Sequence, residues 1–308
     1  MSNSIIIKEN FFLNWLRPEN VPWDVHKALI FQKHFFKKKF NSTLEVGTGN
    51  GVASFISLKG KFDPSFDWYI HANPKNFFKN QDIYNYFYKS KLSKKKIIIK
   101  KAITKFDLAI DYKKNLLDLA YNLDISKNYK VHDCNKQLIT KKKFDFIYSN
   151  ILYWLKNPYE KVNRISKLLD LNGVFLFSVP NENYLKYCQS YSKKGKLWNI
   201  INRGRKNTLQ KIFPQKSFEN FLKKNNFEIL KKERMLSSKT LKIWDLGLRP
   251  ISPFLIEMSN SISDKSRNKI KMEWCDKLFP IVKELTEEEI FYGNKDGGYS
   301  FYLIKKKF

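Results

Sequence analysis

The sequence predicts an α/β fold: a doubly wound, mostly parallel sheet of seven strands whose last strand runs antiparallel, with a helical cap and insertions. Three observations carry this. An apolar run holding one acid leads into three alternating glycines at residues 44–51 (LEVGTGNG). Strand-like and helix-like segments then alternate with short connections over residues 106–179, an order that calls for parallel strands with crossover helices. Two further strand patterns, at 227–235 and 298–304, close the chain on either side of a long helical stretch.

The elements follow in order. Helical spacing from Trp23 onward and the Arg17-Pro18-Glu19 turn place a helical cap over residues 1–41, ahead of the first strand. The strand at 44–46 ends in a loop where glycine lets the backbone turn sharply or approach a ligand without a Cβ in the way. Such loops lie at the carboxyl edge of doubly wound sheets, where nucleotide-like ligands sit. The spacing is G-x-G-x-G rather than the dinucleotide G-x-G-x-x-G, which favours S-adenosylmethionine over NAD. Residues 106–111 (FDLAID) read as a strand ending in a carboxylate, and 115–123 as a helix. Residues 131–134 (VHDC) form a shorter strand with a terminal acid, and 144–150 (FDFIYSN) a buried one. A helix over 158–170 presents Val162, Ile165, Leu168 and Leu169 on one face, with Asn172-Gly173 as its stop and a strand at 174–179 beyond. Residues 184–214 are helical and basic, and 217–226 form a helix. The stretch 237–297 is too long for a hairpin loop and is predicted to be helical.

This ordered set (LEVGTGNG, IDYKKNLLDLA, HDC, FDFIYSNILYWLKNP, LLDLNGVFLFSVPNE) resembles the class I S-adenosylmethionine-dependent methyltransferases with their Rossmann-like sheet, in particular the type 11-like small-molecule group. The resemblance covers residues 42–182 well and implies a methyltransferase domain over 42–308, with insertions near 59–101, 184–216 and 238–297. It also implies site roles. Glu45 and the loop of Gly47, Thr48, Gly49 and Gly51 would face the amino acid part of the cofactor. Asp111 would accept from the ribose hydroxyls, Asp133 would meet the adenine amino group with Cys134 beside it, and Asn150 would line the methyl-transfer face. Related methyltransferases carry such a cap, sometimes with Arg-Pro-Glu. Arg17 is thus placed either on the methionine carboxylate through a charge-assisted fork or in an ion pair with Glu19.

The ribose acid ordinarily lies about 20 residues past the glycines, whereas 60 positions separate Gly51 from Asp111. Either roughly forty residues are inserted or the second strand lies earlier, at 68–73, where it would end in Asn73; the insertion is preferred. Such an excursion would form a lid near the cofactor, and His71 within it is the most attractive candidate base, against a structural or surface histidine. No metal-ligand constellation is visible, so no metal is expected.

The chain of 308 residues carries a formal charge of +29, with 43% hydrophobic and 16% aromatic residues. That is a folded globule. Only seven of its 58 basic residues are arginine, the residue that phosphate readers favour for its fork. Lysine excess with abundant Asn, Ile, Phe and Tyr is what codon bias in an AT-rich genome produces, so no specific nucleic-acid partner is expected. Three scattered cysteines (Cys134, Cys188, Cys275) indicate neither a disulfide framework nor zinc. The start lacks a signal-peptide pattern, and no run approaches the roughly 18 apolar residues of a membrane span. A cytoplasmic location is expected. The functional expectation is methyl transfer to an oxygen or carbon of a small-molecule, carrier-linked or lipid acceptor. The rivals are a nucleic-acid methyltransferase, which would show two prolines where Asn150-Ile151-Leu152-Tyr153 stands, and a non-catalytic protein retaining the fold.

Overall fold

A computed structural model describes residues 3–70, 97–136, 140, 142–209 and 211–307. His71, Asn73 and most of the excursion at 59–101 therefore lie outside the described residues.

Alternating apolar segments build one sheet from β1 (Thr43–Val46), β4 (Leu108–Asp111), β5 (Tyr129–Val131), β6 (Phe144–Ser149), β7 (Leu169–Pro180), β8 (Phe227–Met235) and β9 (Tyr299–Lys306). The order is β5-β4-β1-β6-β7-β9-β8. Neighbours from β5 to β7 pair in parallel, while β9 runs antiparallel to both β7 and β8. The predicted doubly wound sheet with its antiparallel last strand is thus the observed one. A separate antiparallel pair, β2 (Lys61–Phe62) with β3 (Ile98–Lys100), stands at the base of the excursion. The strand ending in Asp111 is the direct neighbour of β1, whereas residues 67–70 form a turn.

The central strands are buried on both faces, as a parallel sheet between helices requires. On β6 all residues but Asp145 are buried, and β7 is buried from Gly173 onward. The cap consists of α1 (Asn3–Leu13), a 3-10 turn (Pro18–Asn20) and α2 (Val21–Phe35). From α2, Phe31 and Phe35 press onto Phe106 and Phe146, with ring centroids 5.0–6.1 Å apart. Connecting helices are α3 (Val52–Ser57), α4 (Lys114–Asn122), α5 (Pro158–Ser166), α6 (Glu182–Tyr187), α7 (Lys196–Thr208) and α8 (Gln215–Lys224).

Three boundaries differ from the sequence reading. Helix α5 stops at Ser166, and Asn172-Gly173 lies inside β7 rather than ending the helix. Strand pairing with Phe144 already begins at Leu169, and the register then shifts before Val174 pairs with Phe146. The strand expected at 131–134 is centred earlier, at Tyr129–Val131, because Ala109 and Asp111 set its parallel register; Asp133 falls in the loop beyond.

Between β8 and β9 the chain forms α9 (Ser238–Leu246), α10 (Ser252–Asn260), α11 (Asp264–Lys277) and α12 (Phe279–Asp296). Two buried carboxylates tie these helices to the cap. Glu289 of α12, 0% exposed, accepts from His26 Nδ1 at 2.8 Å, from Ser237 N at 2.8 Å and from Leu236 N. Burial pushes the Glu289 carboxyl up, but the His26 contact and the Ser237 N–H outweigh it and leave it lowered. Asp67 accepts from Trp15 Nε1 at 2.9 Å and Arg267 Nε at 2.8 Å. Among the described residues, no helix is long and apolar enough to cross a membrane.

Replacing Glu289 with Ala strands two backbone N–H groups and His26, and should cost about 3–5 kcal/mol, the usual penalty for deleting one partner of a buried charged network. Urea unfolding measures it; an unchanged midpoint would show that Glu289 does not hold the C-terminal helices to the cap.

Candidate functional site

The glycine loop leaves the sheet centre at Val46, between β4 and β6. Gly47 has φ +84°, and a Cβ there would come 2.4 Å from Ile151, so close packing against the loop after β6 demands glycine. Gly49 has φ +57° but its Cβ position meets nothing within 4 Å. Gly47 is thus glycine for packing and Gly49 borders open space, a cradle that a side chain would fill. Gly51 caps α3 in the left-handed conformation.

Carboxylates hold the loop from both sides. Glu45, 3% exposed, accepts from Thr48 Oγ1 at 2.9 Å and from Ser54 Oγ of α3. Burial raises its pKa to about 7, against the lowering effect of the Ser54 and Thr48 hydroxyls, with the charge of Asp111 adding to the rise. Asp111, at the end of β4, accepts from Gly49 N at 2.9 Å and from Lys113 N at 3.0 Å. Asp133 accepts from Asn135 N at 2.9 Å and Asn135 Nδ2 at 3.1 Å, both in its own turn. The Cys134 thiol is buried and pushed up to about 12, mainly by that burial and further by the charges of Asp111 and Asp133. It is therefore a neutral, unreactive thiol.

Glu45, Thr48, the three glycines, Asp111, Asp133 and Cys134 accordingly share the carboxyl edge of β1, β4 and β5. Asn150 lies beyond β6, where its Oδ1 accepts from Ser178 Oγ of β7. Arg17 is engaged within the cap turn: its Nε donates to Glu19 Oε1 at 2.9 Å and its Nη2 to Asn20 Oδ1 at 3.4 Å. The ion-pair alternative for Arg17 is the contact the structure contains.

The structure adds residues that the sequence reading did not single out. Asn50, between two glycines, has its Oδ1 occupied by Val52 N at 3.2 Å, while its buried Nδ2 has no partner among the described residues. Ser54 and Ser178 orient Glu45 and Asn150 from distant positions. An aromatic group gathers over the ends of β7 and β9: Tyr299 packs on Trp23, Tyr153 and Tyr184 with centroids 5.0–5.6 Å apart. A polar residue amid glycines was a usable signal for Asn50; for the others pairing is set only by tertiary structure.

Because the Glu45 pKa is raised on folding from an ordinary value near 4.5, the folded state holds a proton that the unfolded chain releases. Stability from this group is full below about 4.5 and is lost as pH rises through about 7. Glu45→Gln should flatten that loss, on the order of 3 kcal/mol at most. Urea midpoints between pH 5 and 8 read the difference; parallel pH profiles for both proteins would contradict the assignment.

A family model described as a methyltransferase domain matches residues 24–232. No curated protein matches the sequence. Among solved structures, the [4+2]-cyclase SpnF is similar at 11% identity and TM-score 0.48, over 92% of this chain and 80% of that one. The S-adenosylmethionine-dependent methyltransferase from Thiobacillus denitrificans, in complex with S-adenosyl-L-homocysteine, is similar at 11% identity and TM-score 0.45, over 91% of each chain. The plantazolicin methyltransferase BpumL is similar at 14% identity and TM-score 0.45, over 98% of this chain and 89% of that one. Likenesses this distant say nothing of the acceptor. The family match, by contrast, spans most of the chain and both the glycine loop and β4 to β8, and the chain belongs to the methyltransferase-domain family.

Proposed function

We propose that the protein transfers the methyl group of S-adenosylmethionine to an oxygen or carbon nucleophile of a small-molecule, carrier-linked or lipid acceptor. The observation that carries the reading is the open space at Gly49, flanked by the Asp111 carboxylate and by the unpartnered Nδ2 of Asn50. This open space lies at the sheet edge where doubly wound folds bind ligands.

Asp111 retains lone pairs beyond those taken by Gly49 N and Lys113 N, and these would accept ribose hydroxyls. Asn50 Nδ2 and the loop N–H groups would meet the cofactor's amino acid end. Glu45 acts through the loop, since its oxygens are committed to Thr48 and Ser54. Asp133 and Cys134 would border the adenine, and Asn150, held by Ser178, the transfer face. The bound sulfonium supplies an already activated methyl group. The protein's task is then to align acceptor and methyl carbon and to exclude water. In this reading residues 1–41 are the cap, residues 42–308 the catalytic domain with its three insertions, and His71 a base or a structural residue of the lid. Buried free cysteines suit a reducing, cytoplasmic setting.

Gly49→Val should abolish S-adenosylhomocysteine binding in calorimetry, because the side chain enters the cradle, while the circular dichroism spectrum stays that of a folded protein and melting falls only by the strain of a β-branched residue at positive φ. NADH should bind neither protein. Unchanged affinity in the variant would sink the cofactor assignment. Asp111→Ala should weaken the same binding by about 1–3 kcal/mol. Transfer of a labelled methyl group to tRNA, rRNA or DNA at physiological salt would overturn the small-molecule reading.

A further inference from the structure

The Arg17-Pro18-Glu19 turn holds a charged group that neither the cofactor site nor the fold accounts for. Glu19 is 4% exposed. Arginine and a carboxylate favour a two-pronged fork, with both oxygens taking N–H groups. Here the fork is split: Nε reaches only Oε1, and Nη2 turns to Asn20. Oε2 is left buried with no hydrogen-bond partner among the described residues. A buried carboxylate oxygen without a donor is costly, and such exceptions ask for a ligand.

The surroundings place this oxygen on the acceptor side of the sheet. Helix α9 packs on the turn, with Trp244 Nε1 donating to Asn20 Oδ1 at 3.1 Å, and a Cβ on Gly247 would lie 3.4 Å from Glu19 Cγ. Trp23, at the start of α2, stacks on Trp244 at 4.8 Å and meets Tyr299 at 5.0 Å. Tyr299 is paired with Pro180 at the carboxyl end of β7, and it contacts Tyr153 in the turn that follows Asn150. The buried Tyr69 hydroxyl is held above its usual range by burial, with Arg17 and Glu19 among the charges it senses. The cap turn thus hangs over the edge from which Asn150 projects, within a shell of aromatic rings.

We propose that Glu19 is the acceptor-binding carboxylate and general base, and that the acceptor is a phenolic hydroxyl; this rests on the methyltransferase reading above. Flat rings pack against Trp23, Trp244 and Tyr69. The phenol O–H donates to Glu19 Oε2. As the phenol oxygen forms its bond to the methyl carbon, the carbon–sulfur bond breaks and its electron pair stays on sulfur. The phenol proton passes to Oε2. Arg17, bound to Oε1, fixes the carboxylate in place. A phenol, with a pKa of about 10, is the hydroxyl class that a carboxylate can assist most readily.

The test uses the full chain saturated with S-adenosylhomocysteine, and 4-methylphenol and 4-methylanisole as probes in ligand-observed NMR. The expected result is that 4-methylphenol binds, that the anisole, which has no O–H to donate, binds at least tenfold more weakly, and that Glu19→Gln removes the difference. The variant should hold S-adenosylhomocysteine within about twofold of the wild type, a sign that fold and cofactor loop are intact. Absence of phenol binding, equal binding of the two probes to wild type, or an undiminished preference in Glu19→Gln overturns the assignment. If the variant fails to fold, the wild-type contrast between the two probes decides. Failure of S-adenosylhomocysteine to bind the wild type would instead strike the methyltransferase reading itself.

Discussion

The site depends on a loop that has surrendered its side chains and must be held by others. Gly47 and Gly49 adopt positive φ, and neither brings a side chain to fix itself. Rigidity comes from two carboxylates beside the loop. Glu45 binds the hydroxyl of Thr48 in the loop and that of Ser54 in the next helix, so one buried group fixes strand, loop and helix start together. Asp111 binds Gly49 N from the neighbouring strand. Burial is the main reason the Glu45 carboxyl is raised to about 7, and the neighbouring Asp111 carboxylate adds to the rise.

A second constraint governs the acceptor side. The C-terminal helices depart from β8 and return to β9, so the final strand lies between β7 and β8 with some sixty residues outside the sheet between it and β8. Their attachment to the cap is polar as well as apolar. Glu289 meets α2 through His26, and Asp67 joins the turn after α1, through Trp15, to α11 through Arg267. Buried ionic contacts add less to stability than their geometry suggests, because desolvation opposes them. They do specify register, and cap and helices are thereby fixed over the carboxyl edge where Trp23, Tyr153 and Tyr299 converge.

The lysines behind the large positive charge serve in more than one way. Lysines pair with acids at exposed positions, as in Lys105 with Asp124, Lys114 with Asp118 and Lys127 with Asp107, contacts of little energetic weight. Others are internal: Lys271, 0% exposed, donates to Phe66 O, and burial lowers its pKa to about 8. Two roles for one residue type follow from its long apolar stem.

What the sequence by itself determined were the features encoded within a few residues of one another. Period-two and period-3.6 patterns yield the strand and helix order, and a glycine at every second position yields a loop that only positive φ can close. The choice of the strand ending in Asp111 as the partner of β1, despite the 60 positions between Gly51 and Asp111, was legible because it ends in an acid where the alternative at 68–73 ends in Asn73. The boundaries at Asn172 and Asp133 were not, since strand pairing across the sheet overrode the local stop signals. The partners of Glu45 and Asn150 were likewise decided by tertiary structure. A polar side chain's neighbours are whichever donors the packed chain delivers: Ser54 from α3 for Glu45 and Ser178 from β7 for Asn150. Side-chain hydrogen bonds reach about 3 Å and carry no periodic trace along the chain, so only the folded arrangement selects them.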